Sequence, residues 1–391
     1  MNPLLITENY PPARGGMAQS CDRIVRGLRA RGLDVDVLHF GAHGDLRIEQ
    51  HEHGRLIACP LNADPAHAIN LAWNALTRLG IAPSHVLAFG GLVPLLAAPS
   101  FAAWLDAPLI TLLRGNDFDT GIVSLRRGWL LREALARSAA VCTVSEDHRR
   151  RVAALFAGPR VARVVNGIDA ADWAVLDIDA AQARAWRAAH LAPGARVIGL
   201  FGHLKQKKGG VFFLDALEGC AHAQRLHLLV VGEIEAALWQ RLEALPPQIA
   251  WTPMPFTDRY ELLRWYAACD AVAIPSLYDG MPNVALEAGA LGLPLLASTA
   301  GGLADLLGDE AGPLAFAPDD LWACRRALDD VATMPETALR ELGRRLRLRV
   351  LSEFDARHEA LRYHELLLDT AAPALPAAAA ADIVREPQWE N

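Results

Sequence analysis

The sequence predicts an α/β protein of two doubly wound domains, and three observations carry that expectation. Short apolar or β-branched runs alternate with longer stretches of helical spacing. The alternation restarts after residue 190, and a chain of 391 residues is long for one core and comfortable for two.

Taken in order, the strand candidates of the first half include "PLLIT" (3–7), "DVDVLHF" (34–40), "HVLAF" (85–89), "PLITLL" (108–113) and "AVCTV" (140–144). Strand, helix, strand in succession implies a parallel sheet covered on both faces. The second half repeats the rhythm with "RVIGLFG" (196–202), "LHLLVVG" (226–232), "DAVAIPS" (270–276) and "PLLAS" (294–298). Between the halves, the polar, helix-prone stretch Asp169 to Pro193 follows the turn signal "NGID" (166–169). The predicted domains are therefore 1–180 and 190–369. The Ala/Pro-rich tail 370–391 reads as a helix, as a strap onto the first domain, or as a disordered end.

Composition narrows the function classes. Apolar residues make up 52% of the chain, but no run of eighteen and no leading signal peptide occurs, which predicts a cytoplasmic protein. The six cysteines are scattered without a Cys-x-x-Cys pair, so neither a disulfide framework nor a zinc site is expected. "HEH" (51–53) lacks supporting ligands and reads as a surface loop. The net charge of -7 and the lack of a clustered basic-aromatic surface exclude nucleic acid as the expected partner. Residues 1–190 carry 20 Arg against 18 acids and residues 191–391 carry 18 Lys plus Arg against 27, so the halves differ in what they meet. The chain's three lysines, Lys205, Lys207 and Lys208, fall within four residues.

Ligands of parallel α/β sheets bind beyond the carboxyl ends of the strands, so the chemistry belongs in strand-to-helix loops. In "YDGMPNVALEAGALGLP" (278–294), Asp279 follows a strand, Gly280 and Pro282 turn the chain, and Asn283 caps a helix that carries Glu287 about one turn inside. A helix start offers free N–H groups to phosphate, and carboxylates accept from vicinal hydroxyls. A ligand with hydroxyls at both ends and phosphates between them, such as a nucleotide sugar, fits that order. "FGHLKQKKGG" (201–210) adds a Gly-containing loop of ammonium groups suited to a diphosphate, and it is not a P-loop because Gly-x-x-x-x-Gly-Lys-Ser/Thr is absent. "PPARGG" (11–16) puts Gly15 and Gly16 directly before an amphipathic helix, where backbone can approach a ligand, without the Gly-x-Gly-x-x-Gly fingerprint.

From Leu4 to about Leu368 these motifs resemble, in order, the GT-B glycosyltransferases of glycosyltransferase family 4: "PPARGGMA", "LLRGND", "VVNGID", "GHLKQKKG", "YAACDAVAIPSLYDGMPNVALEAGALGLPLLAS" and Gly301–Gly302. The resemblance implies two Rossmann-like domains facing a cleft, a nucleotide-sugar donor (a UDP- or GDP-sugar), transfer with retention of anomeric configuration, and no cofactor or bound metal. It further implies that Glu287 holds the ribose hydroxyls, that Asp279 approaches the donor sugar in place of the family's first Glu, and that the loop Met281-Pro282-Asn283-Val284 gives N–H groups to sugar and diphosphate. Lys208 falls on the phosphate-binding lysine, His203 replaces a basic residue that Lys205 can substitute, and Gly16 approaches the donor phosphate. Many relatives have His where this chain has Arg114, which cannot act as a general base at neutral pH but can anchor a hydroxyl, a phosphate or an acidic acceptor group. Asp117 pairs with it or contacts the acceptor, and a loop-stabilising ion pair is the alternative for both.

The expected mechanism is front-face transfer governed by stabilisation of the leaving diphosphate. The acceptor is an unidentified glycan, lipid-linked or small-molecule hydroxyl. "SLRRGWLLREALARSA" (124–139) with Arg149 to Arg151 forms a basic, partly amphipathic face that offers peripheral contact with the inner face of a membrane. Two rival expectations are a catalytically silent nucleotide-sugar-binding subunit and a nucleotide-sugar epimerase of the same fold.

Overall fold

The computed structural model describes residues 1–41, 44–61, 64–308 and 312–371. The first sheet holds β1 (Leu4–Thr7), β2 (Asp36–Gly41), β3 (Arg47–His51), β4 (Gly54–Pro60), β5 (Val86–Phe89), β6 (Leu109–Leu112), β7 (Ala140–Thr143) and β8 (Arg160–Arg163). They run in the order β3-β4-β2-β1-β5-β6-β7-β8, all parallel except the β3–β4 hairpin. The second sheet holds β9 (Arg196–Leu204), β10 (Leu226–Ile234), β11 (Ala250–Met254), β12 (Ala271–Ile274), β13 (Leu295–Ser298) and β14 (Ala315–Phe316), in the parallel order β11-β10-β9-β12-β13-β14. Each sheet is covered by apolar side chains on both faces, which is why its central strands read as continuous apolar runs.

In each sheet the strand order reverses beside the first strand, between β1 and β5 and between β9 and β12. At such a switch point the flanking loops diverge and leave a crevice. The loops after β1, β5, β9 and β12 therefore face open space, and the two crevices meet in one cleft.

The nine runs read as strands all form strands. The unread ones are β3, β4, β8, β11 and β14, at or next to the sheet edges. β3 ("RIEQH") is exposed throughout and β8 ("RVAR") carries charge at both ends, so neither shows an apolar run.

The chain crosses between domains twice at one place. Ile168 N–H donates to the Phe354 carbonyl at 2.8 Å, and Ala356 N–H donates to that of Ile168 at 3.1 Å, so the outgoing and returning segments lie side by side. This return was not expected from a domain running from 190 to 369. The helix Ala356–Thr370 leaves the second sheet and packs on the helix Gly16–Arg29, with Tyr363, Leu366 and Leu367 in the same apolar core as Leu5, Cys21 and Ile24. Conversely, the helix Asp177–His190 packs with the second domain through Ala183, and its Arg187 bonds Asp270 at 2.9 Å. Apolar stripes alone do not tell which of two similar sheets they cover. Apart from Thr370 and Ala371, the tail 370–391 lies outside the described residues.

Candidate active site

A cleft of about 850 Å³ lies between the carboxyl ends of the two sheets and takes walls from both domains. Its second-domain wall starts at the corner that follows β12. Asp279 is buried, its Oδ2 engages the Lys208 ammonium and the Ser276 hydroxyl (3.4 Å), and its Oδ1 accepts from Gly280 N–H at 2.9 Å. Burial alone would push this carboxyl up, but the ammonium groups of Lys208 and Lys207 and the Gly280 N–H hold it below its ordinary value.

Asn283 departs from expectation. The helix Asn283–Ala290 begins with extended Pro282 at its cap position, so Asn283 is already inside the first turn and does not cap. Its side chain instead reaches the first domain, donating from Nδ2 to the Gly16 carbonyl at 3.1 Å and lying 3.4 Å from the Ser20 hydroxyl. Glu287, one turn further, is buried in the cleft wall, where its Oε2 accepts from the Tyr266 hydroxyl at 2.7 Å. Burial raises the Glu287 carboxyl to about 7, against the opposing pull of that hydrogen bond and of Arg23. Tyr266 stacks on Phe201 with ring centroids 4.0 Å apart, which fixes the hydroxyl.

The lysine loop after β9 corrects one assignment. Lys207 and Lys208 line the cleft, whereas Lys205 stands exposed outside it at the start of the short 3-10 turn Gln206–Lys208. The turn swings the later two side chains inward, and Lys207 Nζ sits 5.6 Å over the Tyr278 ring. His203 lies at the half-open rim, 3.4 Å from Glu233.

Across the cleft, Gly15 has φ 107°, a conformation suited to glycine, and Gly16 opens the helix Gly16–Arg29. Met281 is buried, and Pro282 and Val284 line the cleft beside it. Asp117 does not pair with the Arg114 side chain. Its carboxylate accepts from the backbone N–H groups of Arg114, Gly115 and Phe118 at 2.8 to 3.0 Å, and burial still raises its carboxyl above the ordinary value.

The Arg114 guanidinium is held inside the first domain. It donates to the Tyr363 hydroxyl at 2.9 Å and to the Asn166 amide oxygen, lies 4.0 Å from the Glu359 carboxylate, and sits 5.0 Å over the Phe89 ring. With Asn166 it lines one wall of the cleft while its charge points into the C-terminal helix. That helix was assigned to the other domain, so these contacts were not foreseen.

Sequence reading also missed Asn166, Tyr266 and Lys207 as site residues. Asn166 and Tyr266 lie within stretches singled out as motifs, "VVNGID" and "YAACDAVAIPS", but only the fold aims their side chains at Met281 and Glu287. Among the described residues no group of three or more His, Cys, Asp and Glu gathers as metal ligands.

The family described as "Glycosyl transferase 4-like domain" matches residues 15–167, and "Glycosyl transferases group 1" matches residues 195–333. Glycogen synthase of Mycobacterium tuberculosis is 28% identical over 402 aligned residues that cover 91% of both chains. Among solved structures, sucrose-phosphate synthase from Thermosynechococcus elongatus superposes with a TM-score of 0.79 at 19% identity, covering 94% of this chain and 98% of that one. HepE of Anabaena, solved with UDP and glucose, gives 0.74 at 18% identity, covering 94% and 100%.

Proposed function

The chain belongs to the group 1 glycosyl transferases of GT-B fold, and from that premise we propose that it is a retaining, metal-independent enzyme that moves a sugar from a UDP- or GDP-sugar to a hydroxyl acceptor. The observation that carries this reading is the placing of Glu287 and the Lys208–Asp279 pair at the two ends of one loop-and-helix, across the cleft from Gly15 and Gly16. One end presents a buried carboxylate suited to ribose hydroxyls. The other presents ammonium groups and the free N–H groups of a helix start, suited to a diphosphate. HepE, recorded with UDP-glucose as well, has the same fold and a ligand of the class these ends would take.

In this reading the donor's anomeric C–O bond breaks toward the diphosphate, and the acceptor hydroxyl forms its bond to the same face of that carbon. The acceptor proton passes to the departing phosphate oxygen, so the products are a glycoside and a nucleoside diphosphate. Lys208, Lys207 and the N–H groups of Met281, Asn283 and Val284 balance charge on the leaving group, where preorganised donors act most strongly. Asp279 holds Lys208 at the diphosphate and reaches the sugar. Arg114 positions the Asn166 and C-terminal-helix contacts of the cleft wall, and Asp117 fixes the turn beside the acceptor half.

Calorimetric titration with UDP- and GDP-sugars tests the assignment on the wild type, Glu287→Ala and Lys208→Ala. One nucleotide series should bind, and both substitutions should weaken it strongly. Absence of binding to both series, or binding unchanged by both substitutions, would reject this donor site.

A further inference from the structure

From Thr120 to Arg132 the chain carries no acidic residue. The turn between the helices Asn116–Gly121 and Gly128–Ala136 exposes Val123 at 81% and Leu125 at 100%, and Trp129 at the start of the second helix is 60% exposed. Arg126 and Arg127, also exposed, have no carboxylate within 4.0 Å among the described residues. The turn is held in shape: Ser124 N–H donates to the Gly121 carbonyl at 3.1 Å, Gly128 N–H to the Ser124 carbonyl at 2.8 Å, and Arg127 N–H to the Ser124 hydroxyl at 3.2 Å. Its apolar tips therefore project from a built turn, interleaved with unpaired guanidinium groups.

The inner side of the same segment belongs to the cleft. Leu130 and Leu131 line its first-domain half together with Leu92 and Leu95. The exposed patch is thus continuous with a stretch of cleft wall that carries four leucines. Isolated apolar side chains on a surface are ordinary, but three of them within seven residues of two unpaired arginines match what an anionic lipid surface binds: apolar groups for the interface and cations for the phosphates. Among the described residues no helix is long and apolar enough to cross a membrane, so this contact is peripheral.

We propose that the turn Gly121–Trp129 docks on an anionic lipid bilayer, seating Val123, Leu125 and Trp129 in the interface and Arg126 and Arg127 on lipid phosphates. The first-domain half of the cleft then takes the hydroxyl of an amphiphilic, lipid-linked acceptor from that surface. This second clause rests on the glycosyl-transfer reading, whereas the docking does not.

Sedimentation of the full chain with vesicles tests it, comparing pure phosphatidylcholine with equal parts phosphatidylcholine and phosphatidylglycerol. The wild type should sediment with the anionic vesicles and not with the neutral ones, and added salt should weaken the association. The Leu125→Ser/Trp129→Ser variant and, separately, Arg126→Ser should lose on the order of tenfold in vesicle affinity. Their melting temperature and their calorimetric donor binding should stay at the wild-type values. A wild type that ignores anionic vesicles, or variants that bind like it, overturns the docking. So does a wild-type dimer that Leu125→Ser/Trp129→Ser dissolves, since the patch is then a protein contact. If vesicle binding behaves as expected but no nucleotide sugar binds, the docking stands and the acceptor clause falls with the transfer reading.

Discussion

The Asn166 side chain donates from Nδ2 to the Met281 carbonyl at 2.8 Å, while its amide oxygen accepts from Arg114. One buried amide thus ties the donor-side corner of the second domain to the guanidinium, and through it to Tyr363 of the C-terminal helix. Asn166→Ala leaves the Arg114 donor and the Met281 carbonyl without partners, which costs about 1–3 kcal/mol. It also frees the corner to shift, so kcat should fall about ten- to a hundredfold. Asn166→Asp keeps a partner for Arg114 but sets oxygen against oxygen at Met281, so it should recover stability more than turnover. Steady-state kinetics beside thermal melting separates the two effects.

Gly280 is where the domains meet backbone to backbone. A Cβ there would overlap the Arg114 carbonyl, and one on Gly115 would come within 2.5 Å of Gly280 Cα. Gly280→Ala should therefore open the cleft and abolish transfer while both cores remain folded. Small-angle scattering should show an expanded particle with an unchanged circular-dichroism spectrum; full activity in this variant would refute the close approach.

Glu287 makes donor binding depend on pH. Its carboxyl is raised to about 7 from an ordinary 4.5, so it is protonated in acid and accepts poorly from hydroxyls there. Donor affinity should drop between about pH 8 and about pH 6, and this dependence should vanish in Glu287→Gln. Tyr266→Phe removes the hydrogen bond that favours the charged form and should move the midpoint upward. For folding, a raised carboxyl stabilises fully below 4.5, and that contribution is lost as pH rises through about 7. Binding and stability therefore change in opposite directions between about pH 6 and about pH 7, which paired titrations and melts can verify.

Lys208→Met strands the buried Asp279 carboxylate. Breaking a largely buried pair from one side costs about 3 kcal/mol, so the melting temperature should fall. Lys208→Met/Asp279→Asn should regain most of it. Turnover should not return in the double variant, because the charge facing the leaving group is still missing, and a loss of about a hundredfold is expected in kcat.

Tyr363, fully enclosed between the C-terminal helix and the first domain, anchors the returning chain. Tyr363→Ala should destabilise by about 3–5 kcal/mol and release Arg114. Chemical denaturation measures this, and a change below about 1 kcal/mol would mean the helix contributes little to the first domain's core.

By itself the sequence determined the two parallel sheets, because buried central strands leave unbroken apolar runs such as "LHLLVVG" that need no partner to be recognised. It also determined which loops carry the cleft, since Asp279, Glu287 and Lys208 lie directly after such runs. Edge strands were invisible because half-exposed segments need no apolar run. Only the tertiary structure decided where the C-terminal helix docks, that Lys207 and not Lys205 enters the cleft, that Asn283 bridges the domains, and that Arg114 faces Tyr363 and Asn166. These are contacts between residues from 52 to 267 positions apart, set by how distant parts of the chain pack. Local pattern records the face a residue shows and the turn it sits in. It holds no term for the partner across the cleft, and that partner sets the charge, direction and pKa of each group in the site.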